Sequence, residues 1–147
     1  MILAELFTMT EIDAPAERVW HILTDFGRYP DWNPFIRRVQ GAPERRAELD
    51  VLIQPDGGTP LRFRPRIVTF RPPKELRWRG RLPFPGLFAG EHRFVVEHLG
   101  KTRSRLIHEE RFRGLLVPFL YRSIQGPVRR GFEAMNLAVK RLAEGSS

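Results

Sequence analysis

Two histidines and one glutamate carry the most legible chemistry in this sequence. In the stretch from Phe88 to Val96, the alternate residues Phe88, Gly90, His92, Phe94 and Val96 fall on one face of a strand; in the stretch that follows, Leu106, His108, Glu110 and Phe112 do the same. Phe94 and Phe112 mark those faces as inward, so the alternation carries His92, His108 and Glu110 inward with them. Buried charge is costly unless it is paired or wet. The trio therefore predicts one of two things: a hydrogen-bond network that fixes the core, or a cavity in which these groups anchor a ligand or work as an acid/base pair. Two histidines and a carboxylate could also form a three-ligand metal set, but no H-x-H or H-E-x-x-H spacing is present, and no metal is expected. A Gly-rich phosphate loop, a nucleophile elbow and a dinucleotide fingerprint are all missing, so no cofactor is expected. The chain has no cysteine, which excludes disulfides and thiolate chemistry.

Large apolar side chains accompany the polar trio. Trp20, Phe26, Trp32, Trp78, Phe84, Phe88, Phe94, Phe112 and Phe132, with Met135, are many bulky groups for one small core. They serve either as plain core or as the walls of an apolar pocket. Phe84 and Phe88 flank a Pro/Gly loop, where an aromatic guards an entrance more often than it fills an interior.

These residues need a scaffold, and the last stretch of the chain organises it. From Val117 to Glu144, Leu120, Ile124, Val128, Phe132, Met135, Val139 and Leu142 recur at steps of three and four, one stripe of a long helix. Pro127 predicts a kink or a fresh start within it. Upstream, Ile2 to Ile12 alternates as a first strand. Asp13 or Ala14 is placed to cap a helix with Pro15 in its first turn and Gly27 at its end. Tyr29 to Phe35 reads as a short helical turn entering an extended segment at Phe35 to Val39. Ala47 to Gln54, Leu61 to Phe70, Glu75 to Arg81, Phe88 to Leu99 and Thr102 to Phe112 alternate as strands. The turns between them fall at Pro55-Asp56-Gly57-Gly58, Pro72-Pro73, the Leu82 to Gly86 loop and Gly100. Consecutive strands on short turns make an antiparallel sheet, and the last helix must cover its apolar face: an α+β arrangement. No linker or repeat divides residues 1–147, which read as one domain.

The net charge of +8 is carried by arginine, with Lys74, Lys101 and Lys140 the only lysines. Arg62, Arg64, Arg66, Arg77, Arg79 and Arg81 share the outward face of neighbouring strands, with Glu48 and Asp50 beside them. Cross-strand pairing accounts for part of this cluster. The sparse outward aromatics and the lack of a recognition motif argue against a nucleic-acid partner. Docking to an anionic membrane surface or an acidic partner stays open as a reading of the same face. The N-terminus has no basic n-region and meets Glu5 early, unlike a signal peptide, and no apolar run reaches the length of a membrane span. A cytoplasmic protein is expected.

Ile12-Asp13-Ala14-Pro15-Ala16-Glu17-Arg18-Val19-Trp20, Tyr29-Pro30-Asp31-Trp32-Asn33-Pro34-Phe35 and Pro72-Pro73-Lys74-Glu75-Leu76-Arg77-Trp78, with the Gly86 to Phe94 stretch and the C-terminal helix, resemble the START/Bet v 1-like (SRPBCC) superfamily. The likeness is to its bacterial polyketide cyclase/dehydrase and lipid-transport-like branch, over essentially the whole chain. The resemblance implies a helix-grip fold: a curved antiparallel sheet wrapped around the long C-terminal helix, with two short helices between strands 1 and 2 and an apolar cavity between sheet and helix. It further implies a hydrophobic small-molecule partner such as a lipid or polyketide, and in some members cyclisation chemistry. No catalytic set is shared across the superfamily, so none is carried over. The first expectation is a binding module with His92, His108 and Glu110 as polar anchors. The second is a cyclase or dehydratase using His/Glu acid–base chemistry in the same cavity.

Overall fold

The computed structural model describes residues 4–81, 86 and 88–145, with Arg81 and Ile124 described by backbone alone. The chain runs β1 (Ala4–Ile12), α1 (Ala16–Thr24), a 3-10 turn (Phe26–Arg28), α2 (Tyr29–Trp32), β2 (Ile36–Gln40), β3 (Asp50–Ile53), β4 (Leu61–Phe63), β5 (Arg66–Arg71), β6 (Glu75–Arg81), β7 (Ala89–His98), β8 (Ser104–Arg113) and α3 (Val117–Ala143). Five strands pair in the order β1-β8-β7-β6-β5 and three in the order β2-β3-β4. The two sets run into one another. Leu49 N–H donates to Pro65 O at 2.8 Å, Ile67 N–H to Ala47 O at 2.9 Å, and Glu48 bridges to Arg66. The result is a curved antiparallel sheet with α3 lying in its concavity, the expected helix-grip architecture.

The single strand expected from Leu61 to Phe70 is broken in two at Arg64-Pro65. Pro65 has no N–H for the ladder, and its carbonyl turns to Leu49 instead. The break also turns Leu61, expected inward, to 52% exposure. Helix α1 begins later and ends earlier than its sequence signals. Pro15 itself occupies the cap position without a side-chain cap, and Thr24, not Gly27, is the last residue. Asp13 is drawn off by α3, its N–H donating to Glu144 Oε2 at 2.8 Å. Asn33 then sets the exit into β2: its buried Oδ1 accepts from the N–H groups of Phe35 and Ile36 at 2.9 and 2.8 Å, a local turn that Asn readily makes.

Helix α3 is continuous through Pro127 rather than starting afresh. Phe132, Met135, Val139 and Ala143 are fully buried, and Asn136 is buried with them. Leu142 and Leu120, assigned to the buried stripe by periodicity, are 38% and 37% exposed. Ala143 takes the place of Leu142 because the helix end packs tightly on α1, where Arg18 Nη1 donates to Ala143 O at 2.9 Å. The Lys140 ammonium donates to Glu11 O at 2.9 Å and ties the same end to β1. Nearer the middle, Gly131 is required by contact. A Cβ at that position would stand 2.2 Å from Phe35 Cδ1, so the Phe35 ring lies directly on the helix backbone.

The arginine face is largely self-neutralised. Arg62 pairs with Asp50 at 2.7 Å and Arg66 with Glu48 at 3.7 Å. Arg77 reaches both Glu75 and Glu91, and Arg79 shares Glu91. Glu75 and Glu109 are further bridged by Arg93. Glu75, Glu91 and Glu109 are acceptors that the sequence reading had not set against the arginines.

Candidate functional site

A cavity of about 490 Å³ opens between the first half of α3 and the concave sheet. Leu120, Ser123, Pro127, Val128 and Phe132 of α3 form one wall. Ile53 and Phe63 of β3 and β4 form the second, together with Phe35, and Leu61 and Arg62 stand on that side as well. Gly80, Phe88, Gly90, His92, Glu110 and Phe112 of the β6–β7–β8 ladder form the floor. The lining is dominantly apolar with a few convergent polar groups, the composition of a small-molecule site. The antiparallel register puts His92 opposite Glu110 and Phe94 opposite His108, so the alternation read from the sequence delivers the polar trio to one place. Gly90 keeps room for the acid: a Cβ there would stand 2.6 Å from Glu110 Oε1.

Behind the floor runs an ordered chain of polar contacts. Glu110 Oε2 stands 2.8 Å from His92 Nδ1; His92 Nε2 and His108 Nε2 meet at 2.6 Å; His108 Nδ1 lies 2.8 Å from Asn136 Oδ1. Asn136 Nδ2 donates to Thr8 Oγ1 at 2.9 Å, and the Thr8 hydroxyl donates to His108 O at 2.7 Å. Although Glu110 Oε2 is close to Nδ1, it makes no directed hydrogen bond and is an unpartnered buried oxygen. Aromatic rings box the pair. Phe132 stacks on His108 at 3.9 Å and 7°, Phe94 lies 4.5 Å from His108, and Trp78 lies 5.1 Å from His92.

This enclosure sets the charges. Burial lowers His92 to about 3. Burial, reinforced by His92 and opposed by the bond to Asn136, holds His108 well below the usual imidazole range. Burial, with the nearby Glu91 charge adding to it, lifts Glu110 to about 8. At neutral pH the cavity floor is thus uncharged: two neutral imidazoles and a carboxylic acid, the pattern desolvation imposes. A neutral acid beside a neutral imidazole can donate a hydrogen bond or a proton to a bound oxygen and recover it from the ring. The two Nε2 atoms meet as a hydrogen-bonded pair; sharing one zinc-like ion would hold them roughly 3.3 Å apart. No cluster of three or more His, Asp or Glu side chains suited to a metal ion occurs among the described residues.

The structure sorts the residues named from the sequence. Phe88, His92, Glu110, Phe112 and Phe132 line the cavity. His108 does not; it stands behind His92. Trp20, Phe26, Trp32, Trp78, Phe94 and Met135 are also absent from the lining. Trp20 packs on Phe70, and Phe26 on Tyr29 and Trp78. Trp32 packs edge-on against Tyr29, and Phe94 and Met135 are fully buried. These are core groups, because the helices between β1 and β2 close the far end of the sheet with aromatic packing. Phe84 lies outside the described residues. The sequence reading missed Phe35, Ile53 and Phe63 on the opposite wall, and Thr8 and Asn136 in the polar chain. Asn136 had a signal: it is the one amide on the buried side of α3, four residues after Phe132. Thr8 had none, since a threonine in a strand is ordinary.

Comparison with known proteins agrees with this architecture. Residues 5–144 match the family model described as polyketide cyclase / dehydrase and lipid transport. No curated protein matches the sequence. Among solved structures, the chain is similar to the ZhuI aromatase/cyclase of Streptomyces sp. R1128 (20% identity, 96% of this chain and 93% of that one, TM-score 0.77). It is likewise similar to norcoclaurine synthase of Thalictrum flavum in complex with dopamine and hydroxybenzaldehyde (16% identity, 98% and 88%, TM-score 0.71), and to a START superfamily protein of Mycobacterium smegmatis (21% identity, 94% and 98%, TM-score 0.71). At these identities the structural likenesses speak to the fold alone. No described helix is long and apolar enough to cross a membrane. The match over residues 5–144 places the chain, plainly, in the polyketide cyclase/dehydrase and lipid transport family.

Proposed function

We propose that this protein binds a hydrophobic small molecule, with aromatic or polyketide-like rings, in the cavity between α3 and the sheet. The observation that carries the reading is the cavity itself: about 490 Å³ walled by Phe35, Ile53, Phe63, Phe88, Phe112 and Phe132, with Glu110 and His92 at its floor. A volume of that order suits a ligand of two or three fused rings. The walls supply affinity through apolar contact, and Glu110 supplies orientation. Native mass spectrometry of the purified protein, followed by solvent extraction, tests this. A retained aromatic or lipid mass, displaced in a Val128→Trp variant that fills the cavity, supports the reading. A protein that holds nothing and fails to take up a neutral aromatic probe refutes it.

A second reading, acid–base catalysis of a cyclisation or dehydration, is favoured by one specific feature. Glu110 Oε2 is buried beside His92 yet unpartnered, whereas a purely structural carboxyl would have its oxygens satisfied. Loss of turnover with retained binding in Glu110→Gln and His92→Gln would favour this second reading over simple carriage.

A further inference from the structure

The direction of every hydrogen bond behind the cavity floor is fixed from one end. The His108 carbonyl only accepts, so the single hydroxyl proton of Thr8 is committed to it. Thr8 Oγ1 must then accept from Asn136, which places the amide nitrogen toward Thr8 and Asn136 Oδ1 toward His108. His108 Nδ1 therefore carries a proton and, in the neutral ring, Nε2 is bare. A bare Nε2 at 2.6 Å from His92 Nε2 demands that His92 carry its proton there, leaving Nδ1 of a neutral His92 bare and facing Glu110 at 2.8 Å. A carboxylate against a bare ring nitrogen would set lone pair against lone pair; a carboxylic acid would not. We infer that the Thr8–Asn136–His108–His92 chain acts on Glu110 as a positioning relay that keeps it a proton-bearing donor, so that the cavity selects neutral ring-containing molecules whose ketone or aldehyde oxygen accepts from Glu110, and rejects carboxylates of the same shape.

The surroundings support this. Besides His92 on β7, the groups that bear on Glu110 are Glu91, whose charge opposes ionisation of the acid, and Arg62 across the cavity, which is committed to Asp50 by two hydrogen bonds. Its β1 neighbour is Leu6, and the α3 residues that line the cavity are uncharged. No free cation faces the acid among the described residues lining the cavity. The unpartnered Oε2 is the atom a ligand oxygen would meet.

The inference rests on the cavity reading above, and its test separates the two. Long-range proton–nitrogen NMR of the intact protein at pH 6.5 should show His108 protonated at Nδ1 and His92 at Nε2, each ring neutral; a doubly protonated His92, or the opposite tautomers, overturns the relay. Fluorescence titration then uses three probes: 6-propionyl-2-(dimethylamino)naphthalene, its propyl analogue without the carbonyl, and 6-(dimethylamino)-2-naphthoate. The ketone should bind at least tenfold more tightly than the propyl analogue at pH 6.5, and the naphthoate more weakly than either. The ketone's advantage should shrink by pH 9.5, persist without pH dependence in Glu110→Gln, whose amide still donates, and vanish in Glu110→Leu. Equal binding of ketone and propyl analogue at all pH values overturns the inference and upholds the cavity. Failure of all three probes to bind overturns both.

Discussion

Replacing Glu110 by glutamine should change how the stability of this protein depends on pH. In the unfolded chain the carboxyl titrates near 4.5, whereas in the fold burial and Glu91 hold it at about 8. Between those values the folded protein keeps a proton that the unfolded chain releases, so rising pH favours unfolding. The destabilisation begins above 4.5 and levels off above 8. Each pH unit in that window is worth about 1.36 kcal/mol, so from pH 5 to pH 8 the wild type loses about 4 kcal/mol through this one group. His92 and His108 act in the opposite sense. Their depressed values mean that stability is lost as pH falls below the ordinary imidazole range. Both histidines remain in Glu110→Gln, so the difference between the two proteins isolates the acid. Urea unfolding at pH 5, 7 and 9 reads it directly. The stability of Glu110→Gln relative to wild type should rise by about 4 kcal/mol between pH 5 and pH 9, a shift of about 2 M in urea midpoint for a chain of this size. A difference that stays constant to within about 1 kcal/mol across that range would refute the buried-acid argument and make Glu110 an ordinary wet carboxylate.

Two further substitutions probe the walls and the relay. Gly131→Ala places a methyl group 2.2 Å from the buried Phe35 ring; overpacking of about 1–3 kcal/mol should outweigh the roughly 1 kcal/mol gained by replacing glycine in a helix, and thermal unfolding should show a lower Tm, whereas a raised Tm would mean that Phe35 is not seated on α3. Asn136→Leu removes the acceptor of His108 Nδ1 and the donor to Thr8; the stranded groups should cost about 1–3 kcal/mol and leave His108 as a mixture of tautomers by NMR, and an unchanged tautomer would show that the chain is not ordered from Thr8.

The architecture and the polar trio were legible in the sequence because they follow from local periodicity. Alternation in β7 and β8 is a property of the strand itself, so once Phe94 and Phe112 identified the inner face, His92, His108 and Glu110 had to share it. The three- and four-residue steps of α3 likewise announced a long amphipathic helix. What periodicity does not encode is which buried residues meet empty space. Trp78, Phe94 and Phe132 all point inward with the same apolar character, yet only Phe132 borders the cavity, because curvature of the sheet, set by the Pro65 break and by the β3–β4 pairing, holds α3 off at one end and brings it close at the other. The helix phase near Leu142 and Ala143 was decided by the contact with α1, which lies far away in sequence. The relay was hidden for the same reason: Thr8 and Asn136 are separated by 128 positions, and only the docking of α3 against β1 brings them together. The sequence by itself determined that a histidine pair and an acid face the interior; the tertiary structure decided that they are linked in one direction and that the acid stands at a cavity wall, since hydrogen-bond polarity and void space are properties of packed surfaces rather than of any one segment.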